Sequence, residues 1–142
     1  LNSITKTPAD SGSIFNYDDG TRKIDVEISS TNKFKSKVFD GTTLITNELN
    51  SSDTTNYFIG MVKLSEKNLR VDYDSSGNNI TATSTDASYD TETSYNTSTF
   101  KIGFASKYLK GNVQEIIIYN SALSNYDISN IKGYLNKKYN IY

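Results

Sequence analysis

Two carboxylates placed two residues apart are the first spot where this chain has the means to do chemistry. Asp25 and Glu27 sit in Lys23-Ile24-Asp25-Val26-Glu27-Ile28, whose strict apolar alternation predicts a strand with both acids on one face. Paired carboxyls are the equipment of glycoside hydrolysis, where retaining chemistry needs them about 5 Å apart across the sugar. The chain has no Trp to stack a sugar in a catalytic cleft. The pair therefore reads as solvated acids on the polar face of a half-buried strand, and no residue is assigned a catalytic role.

A second candidate is Asp72-x-Asp74-x-x-Gly77-Asn78, which offers alternating oxygen ligands and a glycine for a sharp turn. Asp72, Asp74 and Asn78 are thus the candidate calcium ligands, and calcium the one cofactor the residues suggest. The loop lacks a third acid and the downstream bidentate Glu of an EF-hand, so a plain turn without metal is the favoured reading. A third candidate is aromatic. Tyr89, Tyr95 and Tyr108 lie in or beside polar loops, where a rigid ring brings contact area at low entropic cost. They are the candidate ligand-binding residues, for glycan or protein, unless they cap the sheet edges beneath a long loop.

Other chemistry is excluded by composition. With no Cys and no His, thiol chemistry, disulfides, imidazole acid–base work and the usual zinc or copper ligands are all absent. Net charge is −1 and no basic face recommends nucleic acid. No apolar run approaches membrane-spanning length. The hydrophobic fraction is only 35%, so the eleven Tyr and six Phe must supply much of the buried area. Abundant Ser, Thr and Asn suit a thin two-layer sandwich with polar loops better than a helical bundle.

The elements that must position these groups follow from pattern and punctuation. Residues 1–12 hold the only proline, Pro8, and read as a linker or edge strand. Strands are predicted at Ser13–Tyr17, Lys23–Ile28, Phe34–Phe39 and Thr42–Leu49, with turns at Asp18-Asp19-Gly20 and Asp40-Gly41. Tyr57–Leu64 is the most apolar upstream strand; Asn68–Tyr73, Ile80–Ser84 and Phe100–Phe104 follow. Residues 85–99 form a long polar loop or polar edge strands.

The closing third is the most patterned. Val113–Tyr119 contains Ile116-Ile117-Ile118 and predicts a strand buried on both faces. Ser124 with Asp127 has capping-box spacing, and Ile128, Ile131 and Leu135 recur at helical spacing, with Lys132, Lys137 and Lys138 left in water. Glu115 reads as a structural carboxylate whose donors come from the helix N-terminus or a loop backbone. Counting gives about nine antiparallel strands and one C-terminal helix.

The order Gly111-x-Val113-x-Glu115-Ile116-x-Ile118-Tyr119-Asn120-x-x-Leu123-Ser124, then Ile131-x-x-Tyr134-Leu135-x-x-Lys138-Tyr139, preceded by Ile102-Gly103, resembles the closing block of laminin-G-like domains. These belong to the concanavalin A-like lectin/glucanase superfamily, in the form common in phage, large-virus and bacterial surface proteins. The resemblance implies an all-β, antiparallel jelly-roll sandwich over residues 13–142 with one C-terminal helix. It implies a non-enzymatic surface or adhesion module of a larger protein, extracellular or on a virion: a capsid decoration, head fibre or tail component. Its partners would be other subunits of the same assembly or surface glycans. A structural cap without sugar binding, or a degenerate glycoside hydrolase, are the alternatives. The glucanases of the superfamily use a pattern similar to E-x-D-x-E, and here Lys23 stands in place of its first acid. The family's leading strands are missing before Ser13. The expectation is therefore that upstream residues or a neighbouring subunit supply them, with both apolar strands interior to their sheets.

Overall fold

The computed structural model describes residues 12–31, 33–49, 57–65, 67–76, 78–89, 99–104, 108–109 and 112–142. It is an all-β arrangement of two antiparallel sheets with one C-terminal helix. Four strands run as a meander: β1 (Gly12–Asp18), β2 (Lys23–Ile28), β3 (Phe34–Phe39) and β4 (Leu44–Glu48). A second meander follows, of β5 (Ile59–Ser65), β6 (Asn68–Ser75) and β7 (Asn78–Thr85). The chain then returns as β8 (Thr99–Ile102), which pairs with β1 and completes a five-stranded sheet ordered β4-β3-β2-β1-β8. The smaller sheet is ordered β5-β6-β7.

Alternation decides which side of each strand is apolar. Val26, Ile28, Phe34, Val38, Ile45 and Leu49 of the large sheet meet Leu69, Val71 and Tyr73 of the small one. Phe58 lies between the layers, 5.7 Å from Phe34 and stacked on Tyr73 at 5.0 Å. Gly60 is required there, because a Cβ would sit 2.5 Å from the Phe34 ring. Asn47 Nδ2 donates to the Leu69 carbonyl at 3.0 Å and links β4 to β6 through the core. At the turns, Gly20 and Gly41 adopt positive φ, +89° and +107°.

The helix α1 (Asn125–Tyr139) starts as its sequence dictates. Ser124 Oγ accepts from the Asp127 N–H at 3.2 Å, and Asn140 closes the helix in the left-handed region. It lies on the outer side of the small sheet, opposite the main core. Ile59 of β5, Ile128 of the helix and Ile141 are buried but stand apart from the main core cluster.

Three expectations are corrected. Residues 112–119 form no strand, and only Val113 and Ile116 pack inward while Ile117, Ile118 and Tyr119 stay exposed. β-branched residues favour a pleated surface with neighbours beside it, and no described strand runs alongside this run. The helix covers β5 and β6. Among the described residues β5 is an edge strand, not an interior one; its apolar character on both faces reflects the core on one side and the helix on the other. Finally, Asp74 and Asn79 lie inside strands, because β6 and β7 form a tight hairpin in which Asp74 pairs with Asn79 and Ser75 with Asn78. Residues 1–11 lie outside the described residues, and Gly12 already belongs to β1.

Candidate functional site

Chemistry-bearing groups gather at three places. The first is the face of β6 beneath α1. Asp72 and Asp74 alternate with Val71 and Tyr73, so both carboxylates leave the main core and meet the helix. Arg70, on the same face, holds Asp72 with a forked pair of hydrogen bonds, Nε to Oδ1 at 2.7 Å and Nη2 to Oδ2 at 2.8 Å. Lys132 comes down from the helix, its Nζ 3.1 Å from Asp72 Oδ2 and 2.5 Å from Asp74 Oδ2. Expected in water, its side chain is only 16% exposed. The reason is helical spacing: Lys132 is four residues after Ile128 and shares its inward face.

Electrostatics follow from this contact. Burial pushes the Asp72 carboxyl up, but the Arg70 hydrogen bonds and the Lys132 charge outweigh it and hold it below its ordinary value. Burial also lowers the Lys132 ammonium, while the Asp74 hydrogen bond and the Asp72 charge more than restore it, leaving it raised. The candidate calcium ligands are thus only partly brought together. Asp72 and Asp74 converge on an ammonium rather than on an open cation position, and Asn78 stands at the hairpin end in register with Ser75. Among the described residues no group of three or more acidic side chains is arranged to hold a metal.

The second place is the open face of the large sheet. Glu27 binds Lys37 at 2.8 Å, and Lys35 bridges Glu27 at 3.9 Å and Glu48 at 3.3 Å. Asp25 accepts a hydrogen bond from Ser13 Oγ, brought alongside by a bulge in β1 between Ser13 and Phe15. Burial pushes the Asp25 carboxyl up; the Ser13 hydrogen bond opposes it, and the neighbouring Glu27 charge adds to the rise. A cleft of about 290 Å³ opens beside Asp25, lined by Asn16, Lys23, Asp25, Lys37, Phe39 and Leu44.

The third place is the end of the large sheet that overhangs the small one. In the β1–β8 register, Phe100 and Ile102 share a face with Tyr17 and Phe15, the side that elsewhere meets the core. Among the described residues, five strands over three leave that end without a facing strand, and Phe100 is 49% and Ile102 58% exposed. Phe100 meets Phe15 edge to face at 4.6 Å. Close by in sequence, Tyr108 is 74% exposed and packs on Phe104 at 4.5 Å, where a short bridge pairs the two residues.

The tyrosine expectations divide accordingly. Tyr108 is exposed as expected. Tyr89 is buried in the main core, a correction: the chain turns inward after β7 and the ring fills the sandwich, as a chain poor in aliphatics requires. Tyr95 lies outside the described residues. Glu115 takes its donors from the last helical turn, Lys138 Nζ at 3.0 Å and Tyr139 OH at 2.9 Å, rather than from the helix N-terminus. Sequence reasoning missed the role of Lys132, whose spacing from Ile128 was a usable signal. It missed Asn16 and Phe100 too, since sheet order places them and no local pattern reveals it. No family model, curated protein or solved structure matches this chain.

Proposed function

We propose that this chain is a non-catalytic contact module of a surface assembly, of laminin-G-like jelly-roll type. It belongs to a virion component such as a capsid decoration, head fibre or tail protein. The observation that carries the reading is the overhang: Phe100 and Ile102 face the core side of their sheet yet remain about half exposed. Scattered exposed apolar residues need no explanation, but adjoining ones on an uncovered sheet end mark an interaction surface. Burying a large apolar side chain is worth about 1.5–3 kcal/mol. A few such residues at the centre of a contact carry most of its energy. We take the occupant to be a second chain of the same assembly. The acids of the open face support a binding role, since each is tied to a neighbour, Glu27 to Lys37 and Asp25 to Ser13.

Sedimentation at increasing concentration tests this. The wild-type chain should self-associate, and Phe100→Ser with Ile102→Thr should shift it to monomer without loss of a cooperative melt. A wild-type chain that stays monomeric at every concentration would remove the basis of the reading.

A further inference from the structure

We propose that residues 117–119 of a second copy of this chain add as a strand to the free edge of β8. The inference rests on the contact-module reading and names the element that seats on the overhang. Its starting point is the direction of the β8 backbone. Gly103 N–H donates to the Ile14 carbonyl at 3.0 Å. Antiparallel alternation then turns the backbone groups of Thr99 and Lys101 toward β1 and those of Phe100 and Ile102 outward. The two residues whose side chains are half exposed thus also aim their N–H and C=O groups at an edge that no described strand fills. Among the described residues the opposite edge of the large sheet, β4, carries one large exposed apolar side chain, Leu44, and no such pair.

The run after Val113 and Ile116 has the opposite lack. Ile117, Ile118 and Tyr119 have the side chains of a strand and are 40%, 56% and 48% exposed. Among the described residues none of them joins a ladder or a backbone hydrogen bond. Their place is nonetheless fixed from both sides. Glu115 is held by Lys138 and Tyr139, and the Leu123 carbonyl accepts from Lys63 Nζ at 2.6 Å. A stretch held at both ends loses little freedom on docking. Spacing selects the register. Ile117 and Tyr119 are two apart, as are Phe100 and Ile102. An antiparallel ladder therefore sets Ile117 opposite Ile102 and Tyr119 opposite Phe100, apolar pairs on one face. Ile118 then lies opposite Lys101, whose methylene stem covers it while the ammonium stays in water. Each chain carries one bare edge and one run without a ladder, so two copies supply what each lacks.

The chain has no cysteine, so two single variants, Lys101→Cys and Ile118→Cys, report the contact directly. Facing residues between two hydrogen-bonded pairs lie close enough for a disulfide. Mixed under mild oxidation, the two variants should give a cross-linked heterodimer as the main covalent product, read by mass spectrometry. Adding Phe100→Ser with Ile102→Thr to the Lys101→Cys chain should abolish it. In sedimentation, Ile117→Pro should weaken self-association about tenfold with an unchanged melt, since it removes an N–H that bonds to no described residue. Three results would each overturn the proposal: no heterodimer in the mixture, a disulfide formed only within single chains that carry both substitutions, or wild-type association in Ile117→Pro. Any of them beside a wild type that still associates through Phe100 and Ile102 leaves the assembly reading standing, so the two fail separately.

Discussion

At the scale of single residues, the group that matters most is Asp72, a buried carboxylate shared by a guanidinium from its own strand and an ammonium from the helix. Removing one member of a buried ion cluster leaves the others uncompensated. Lys132→Met should cost toward the low end of about 3–5 kcal/mol in denaturant unfolding, since Arg70 keeps Asp72 paired. The pH dependence has two limbs. The Asp72 carboxyl is held below its unfolded value of about 3.9, so its contribution is complete above that pH and is lost as pH falls through the lowered native value. The Lys132 ammonium is raised, so its contribution is complete below about pH 10.4 and is lost as pH rises through the native value. Lys132→Met should abolish the alkaline limb. Because the ammonium already sits between the carboxylates, millimolar calcium should leave the wild-type melting temperature unchanged; a rise of several degrees would restore those acids as a metal site. Asp25 has the opposite sign. Its raised carboxyl lowers stability as pH climbs from the unfolded value to the native one, so Asp25→Asn should raise the unfolding midpoint at neutral pH and leave it unchanged near about pH 3.

At the scale of elements, the hairpins were legible because alternation and turn chemistry agree. β2 and β3 span Lys23–Ile28 and Phe34–Phe39, as read from apolar spacing alone. The capping-box spacing at Ser124 and Asp127 placed the helix start in the same way. The run at 113–119 was misread because three β-branched residues signal burial without saying what lies alongside. Which faces meet is equally silent in a linear pattern, so the helical stripe does not name β5 and β6 as its neighbours. Gly60 shows how tight the correct contact is. Gly60→Ala should cost about 1–3 kcal/mol through overpacking against Phe34, and Phe34→Leu in the same chain should recover part of that loss. Additive effects in the double variant would place the strain elsewhere.

At the scale of the whole molecule, the layers run large sheet, core, small sheet, helix. The helix keeps Asp72, Asp74 and Ile59 from water, so it belongs to the fold rather than decorating it. Deleting residues 124–142 should give an insoluble or molten product, visible as loss of the near-ultraviolet dichroism of the tyrosines. A soluble deletion variant with a cooperative melt would show that the sandwich closes without its outer layer. The two cores were only half readable in advance. The main one follows from strand alternation, whereas the one under the helix depends on where a C-terminal element lands after the chain has crossed both sheets.

The pairing of β8 with β1 also bears on the order of events during folding. Among the described residues every other ladder joins strands adjacent in sequence, while this one joins strands separated by most of the chain. Closing so large a loop carries its entropic cost before the contact returns anything, so β8 docks late and, being four residues long at an edge, opens early. Whenever β8 opens, the β1 edge becomes a vacant berth. In a crowded assembly, the first strand to arrive there need not come from the same molecule.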